Sequence, residues 1–297
     1  MRQNTPDKKE LQAGARLLAR PLLPLVRLVQ LLYLTSPFSQ IEELLVQLRE
    51  PLTTAATTYS DPYELLLGHL DLLRIFEELK KQGGPPPVIV NEAGEPLSTL
   101  EAVEYQVCHA VVERELEEIN SLLCAPCHCS LCCTGPEPGM KQEFFEIPLE
   151  AAECQNFPLP RVDTPQSRQL DSNSEPPLQR HQSPFYRHQP ALYHWRHGWS
   201  MILPSQSRCP QLDRQGGCRI YPRRPAICRR PQIFSYLLGE LAEDREAAGT
   251  TTKRPTPRAC HKLLAVWDCP YVRALQDEIA DFATKSGLQP IFSRNKF

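Results

Sequence analysis

Five thiols fall within ten residues in Cys124-Ala-Pro-Cys127-His-Cys129-Ser-Leu-Cys132-Cys133. In a C-x-x-C turn the chain reverses between two cysteines, so both sulfurs face one ion while backbone N–H groups offset the thiolate charge. Five thiolates in one loop repel one another without a cation, so metal occupancy is the natural way to fold the segment. Disulfides and core cysteines are the competing explanations. Adjacent Cys132 and Cys133 cannot close an ordinary disulfide without strain, and Pro126 and His128 do not belong to a buried apolar run.

A second group follows at Cys209, Cys218 and Cys228, with eight and nine residues between successive cysteines. These are not the spacings of a zinc ribbon, whose second knuckle is again C-x-x-C. The three sulfurs must instead be carried to the first group by the fold, with Pro222 and Pro225 stiffening the turn before Cys228.

Together the two groups resemble the YkgJ-type cysteine-cluster family, the CxxCxxCC zinc- or iron-chelating domain. The family's second signature, C-x-x-L and then C-x-I-Y-x-x-R-P-x-x-C-R, is met at Cys209, Leu212, Cys218, Ile220, Tyr221, Arg224, Pro225, Cys228 and Arg229. Cys129, Cys132 and Cys133 correspond to the closing C-x-x-C-C of the first signature. The position three before Cys129 is Pro126, so Cys124 or Cys127 supplies the leading ligand. The resemblance runs from Cys124 to Arg229. It implies that Cys129, Cys132, Cys133, Cys209, Cys218 and Cys228, with one or both of Cys124 and Cys127, hold an iron–sulfur cluster (4Fe-4S) or zinc. Eight thiolates suit two four-iron clusters or two zinc ions.

Cys260 and Cys269 lie beyond the match and are taken as supplementary ligands, with buried thiols as the alternative. Cys108, between Val107 and Val111 on a helical pattern, and Cys154 read as core residues. His128 and His261 each adjoin a candidate ligand, but neighbouring side chains point apart. His181, His188, His194 and His197 are assigned to a solvated segment. Between Arg208 and Arg230 there are seven Arg against the single Asp213. Guanidinium groups there either compensate a net anionic thiolate centre or bind an anion or an acidic protein partner.

The elements that deliver the thiols can be read from period and punctuation. Leu22 to Leu34 and Ile41 to Leu48 carry Leu, Ile and Val at helical spacing. Asp61-Pro62-Tyr63-Glu64 predicts a helix start, with the helix ending at Gly83-Gly84, and Pro85 to Val90 predicts an extended crossing. Ser98 with Glu101 caps a long helix through Val103, Val107, Val111 and Ile119 that feeds the first cysteine group. Phe144 to Ile147 reads as a short strand. Tyr193 to Leu203 offers Trp195, Trp199 and Ile202, Thr250 to Arg258 reads as a loop, and Cys260 to Ala283 reads as helical with a break at Pro270.

The expected fold is therefore mainly α with small irregular or β elements, a cysteine-cluster metal-binding core preceded by a helical N-terminal region. The helical region spans 1–123 and the metal-binding domain 124–154 and 191–284. Residues 155–190 form a Pro/Gln-rich insertion, too polar to pack and expected to be disordered.

Composition bounds the function. At 297 residues and 41% apolar content a real core is available. A net charge of −2 does not suit a nucleic-acid-coating or polybasic membrane protein, and nucleic acid is not the expected partner. Thirty Pro against 13 Gly, with no G-x-G-x-x-G or G-x-x-x-x-G-K-[ST], argues against glycine-loop nucleotide binding. H-E-x-x-H and G-x-S-x-G are also missing. The apolar run Pro21 to Leu34 is interrupted by Arg27 and Gln30 and is followed by no small-x-small cleavage site. It is read as a packed helix, with no membrane span and a cytoplasmic location in which thiols stay reduced. The leading function is a metal-binding protein whose centre is structural or redox-active. One alternative is an iron–sulfur, S-adenosylmethionine-dependent enzyme resembling protein lysine methylases. The other is a zinc-stapled protein-interaction module.

Overall fold

Asp61 accepts a hydrogen bond from the Glu64 N–H at 3.2 Å, so the helix Pro62–Leu67 starts where its cap and first-turn proline require. Ser98 and Glu101 close a reciprocal capping box at the start of the 29-residue helix Thr99–Cys127, Ser98 N donating to Glu101 Oε2 at 3.0 Å and Glu101 N to Ser98 Oγ at 3.4 Å. The computed structural model describes residues 6–81, 88–240 and 256–293. The predicted helix end at Gly83-Gly84 and the start of the extended crossing lie outside the described residues, as does most of the Thr250 to Arg258 loop.

The chain divides into two compact units, residues 124–231 and residues 6–123 with 232–293. In the latter, Leu25, Val26, Val29 and Tyr33 of helix Leu23–Thr35 share one fully buried cluster with Tyr59, Phe76 and Val111. Gln12–Thr35 is long and apolar enough to cross a membrane by length and composition alone, but half of its most apolar window is buried inside the protein. The stretch breaks between helices Gln12–Leu18 and Leu23–Thr35, and Arg27 donates from Nη1 to the Ser286 carbonyl at 3.1 Å. These are the features of a core helix.

The same unit carries a three-stranded sheet in the order Gln289–Ser293, Pro257–Val266, Ile233–Glu240. The central strand runs antiparallel to Ile233–Glu240 and parallel to Gln289–Ser293, with Leu264 opposite both Phe234 and Ile291. Helices Pro270–Ala274 and Gln276–Lys285 make the crossover between the parallel strands.

Residues 124–231 are built on a four-stranded sheet ordered Phe144–Leu149, Gly198–Pro204, Ala191–Trp195, Arg161–Val162. The hairpin pairs Leu192 with Met201, and Ile147 lies opposite Met201 on the other side. Leu149, Phe157, Leu192, Met201, Leu203 and Ile220 form the cluster on one face. Phe185, Ala191, Tyr193, Trp195 and Ile202 form the cluster on the other.

The mainly α expectation is corrected by this architecture, which is 39% helical and 21% strand across several sheets. Of the segment Cys260 to Ala283, the part from Pro270 on is helical as expected, while the part before it is a strand, because Leu263 to Val266 is a short apolar run for which periodicity alone does not separate helix from strand. Its strand partner, Ile233–Glu240, precedes the Thr/Lys/Arg stretch. Residues 155–190, assigned by composition to an insertion, bury Leu178 and Phe185 and place Arg161–Val162 parallel to Leu192 and Tyr193.

Candidate metal centre

The last turn of helix Thr99–Cys127 carries Cys124 and Cys127, and the chain then reverses at His128, whose φ is +48°. Pro126 sits inside that final turn, where it removes a backbone donor and weakens further propagation. Leu131–Cys133 forms one turn of 3₁₀ helix, closed by Cys133 N donating to Ser130 O at 2.9 Å. It turns Cys132 and Cys133 back beside each other, with their Sγ atoms 3.8 Å apart.

The second group is tied to the first through the backbone. Cys209 N donates to Cys133 O at 2.8 Å, next to a bridge between Thr134 and Arg208. Asp213 organises the following loop by accepting from Gln215 N and Gly217 N, both at 2.8 Å, and a bridge between Leu212 and Cys218 closes its base. Gly216 has φ +89°, and a Cβ there would stand 2.7 Å from the His128 carbonyl oxygen, so the loop touches the first group where only glycine fits. Cys228 lies on the four-residue helix Ala226–Arg229, whose first N–H is capped by Glu153 Oε1 at 2.9 Å.

The result is a cavity of about 250 Å³ whose wall contains seven of the ten predicted ligands: Cys124, Cys129, Cys132, Cys133, Cys209, Cys218 and Cys228. His128, Phe157, Ile220, Tyr221, Arg224 and Pro225 complete much of the lining. Cys127 is buried at 7% exposure and does not line the cavity, but its Sγ lies within 4.8 Å of that of the wall residue Cys129, close enough for the two to share an ion. Cys260, beside a bulge in its strand, and Cys269, at the start of helix Pro270–Ala274, are buried in the other unit. Cys108 is likewise buried there on the long helix, while Cys154 is buried under the four-stranded sheet with Sγ against Glu150 O at 3.6 Å.

Burial pushes the Cys124 thiol up to about 12, reinforced by charge on Cys132, and pushes Cys209 up to about 11. Cys133 is raised first by its contact with the Cys132 sulfur and then by burial, and burial raises Cys218 and Cys228. These thiols oppose one another's ionisation, a conflict that a shared cation resolves. Four sulfurs at ~2.3 Å around one tetrahedral ion stand about 3.8 Å apart, which is the Cys132–Cys133 separation. The donor set therefore fits a thiophilic metal.

His128, read from sequence as a neighbour of a candidate ligand, and Arg224, read as one of the arginines set against the thiolate charge, both line this wall. Arg224 is one of seven arginines in its segment, and only burial distinguishes it, at 6% exposure. The histidines assigned to a solvated segment also have partners. His194 Nδ1 is 3.0 Å from Asp163, and His197 lies 3.1 Å from both Asp171 and Glu146.

Compared with known proteins, residues 123–260 match one family, CxxCxxCC, described as a putative zinc- or iron-chelating domain. No curated protein and no solved structure matches the chain.

Proposed function

Proceeding from residues 123–260 as a CxxCxxCC zinc- or iron-chelating domain, we propose that the seven thiols of the cavity wall hold a metal–thiolate centre that staples segments 124–133 and 209–228 together. The observation that carries this is their convergence on one cavity from both sides of the four-stranded sheet's sequence. One tetrahedral ion uses four thiolates and leaves three unused, whereas two ions need eight ligand positions. Seven thiols fill eight positions when one thiolate bridges or when His128 supplies the last. The 3.8 Å pair favours zinc, since two sulfurs that close share one ion, while each iron of a four-iron cluster takes its own cysteine.

When bound, the metal supplies positive charge and fixed geometry. The residues do the rest. Cys133 O anchors Cys209 N, Asp213 folds the 211–218 loop, and Glu153 caps the helix carrying Cys228. Reduced thiols need a reducing compartment, so a cytoplasmic location accompanies this reading. The test is elemental analysis and electron paramagnetic resonance of anaerobically purified protein. The expected result is a colourless protein with about two zinc ions per chain. Brown protein with iron and sulfide replaces zinc by a cluster, and metal-free protein that gains none on incubation with zinc or iron overturns the proposal. Heat on mixing with S-adenosylmethionine in a calorimeter would instead favour the methylase-like enzyme.

A further inference from the structure

Two divalent ions sharing seven thiolates form a net anionic group in a partly buried site, and the protein must neutralise it. Seven arginines lie between positions 208 and 230, yet they are not equivalent. Arg208, Arg214, Arg219 and Arg223 are exposed, and Arg229 and Arg230 are half-buried. Arg224 alone is both buried and part of the thiol-lined wall.

Its position is set by the chain around it. Arg224 precedes Pro225, which holds it in extended backbone at φ −61° and ψ 145°. Nε donates to the Tyr221 carbonyl and Nη1 to the Cys228 carbonyl, both at 3.1 Å. The guanidinium carbon stands 3.7 Å from the centre of the Tyr221 ring. Two carbonyls and a ring face are among the groups that orient the cation. A lysine could carry the charge here but could not make this planar fork.

Resting on the metal-centre reading above, we infer that Arg224 is the internal counter-ion of that centre. It acts as a positioning residue whose fixed positive charge strengthens metal retention, while the exposed arginines contribute little.

The full chain, stripped of metal, is titrated with cobalt(II), and thiolate-to-cobalt absorption is followed under chelator competition and on acidification. Arg224→Gln is expected to weaken cobalt binding by about 10- to 100-fold, the range for groups that support metal ligands. With four thiolates per ion competing with protons, a 100-fold loss raises the pH of half-release by about half a unit. Arg224→Lys should recover most of this, and Arg223→Gln should match wild type. A packing role alone would make Lys and Gln equally poor, which overturns the inference, as does a Gln variant with wild-type affinity. Should Arg224→Gln not fold, Arg224→Lys decides: affinity within about tenfold of wild type supports the charge role, and a larger loss sinks it. Wild-type protein with no thiolate-to-cobalt band defeats the metal centre itself, so the two failures are distinct.

Discussion

Glu115 should make the protein lose stability as pH rises towards 8, and Glu115→Gln should remove that loss. The residue lies on the long helix Thr99–Cys127, where Oε1 accepts the Leu22 N–H at 3.0 Å and Oε2 is buried with no hydrogen-bond partner among the described residues. Burial pushes its pKa from 4.5 up to about 8. The folded state therefore keeps a proton that the unfolded chain releases above about pH 4.5. Stability is full below that value and falls by about 1.4 kcal/mol per pH unit until the folded group itself ionises. The accumulated loss is about 3 kcal/mol at pH 7 and about 4 kcal/mol at pH 8. Glutamine keeps the acceptor for Leu22 but adds a buried amide donor, costing about 1–3 kcal/mol at every pH. The variant should be weaker than wild type at pH 4.5 and stronger at pH 8, with the curves crossing between. Urea unfolding followed by circular dichroism across this range reads the difference, and pH effects of the thiols cancel because both proteins share them. A wild-type minus variant difference that stays constant from pH 4.5 to 8 would refute the reasoning.

Replacing Cys132 and Cys133 together by Ser should abolish bound metal and lower the unfolding midpoint, as measured by elemental analysis and thermal denaturation. Cys108→Ser, at a thiol that burial pushes up to about 11 in the other unit, should leave metal content intact. Gly216→Ala must either move the loop or strain at φ +89°, and should cost about 1–2 kcal/mol and reduce metal stoichiometry. Asp61→Ala removes the cap of helix Pro62–Leu67 and should cost about 1 kcal/mol in urea unfolding with no change in metal content.

What could be read from sequence was local. Asp61 and Ser98 cap their helices because a side-chain oxygen reaches an N–H three residues away, which needs no knowledge of the fold. The cysteine turns are equally local. The strand at Phe144 to Ile147 was legible, but the strand at Leu264 was lost because pairing is non-local: it becomes central only when Phe234 and Ile291 flank it. Polar composition misled at 155–190 for a related reason. Its charges are answered both locally and further along the chain, Asp163 by Arg168 and His194 and Asp171 by Arg196 and His197. Leu178 and Phe185 are enough to seat it on Trp195 and Tyr193. Arg224 could not be singled out among seven arginines because burial is a property of the fold.

The distribution of regular structure argues for why thiols are needed where they are. The four-stranded sheet buries its own faces, through Phe185 and Trp195 on one side and Leu192 and Met201 on the other. The walls of the cavity have no such resource. They are made of a three-residue 3₁₀ turn at Leu131–Cys133, another at Tyr221–Arg223, and the four-residue helix Ala226–Arg229. Segments this short order few backbone hydrogen bonds and bury little apolar surface against the entropy of fixing them. Glycine at 216, prolines at 222 and 225 and the carboxylate of Asp213 reduce that entropy locally but cannot join one segment to the other. Through the backbone the two are joined at the Thr134–Arg208 bridge, where Cys209 N donates to Cys133 O and Gly135 N to Ser207 O. On the proposed reading, a metal shared by thiols of both segments would add the missing attraction, and the buried charge of Arg224 would offset the negative charge of that centre.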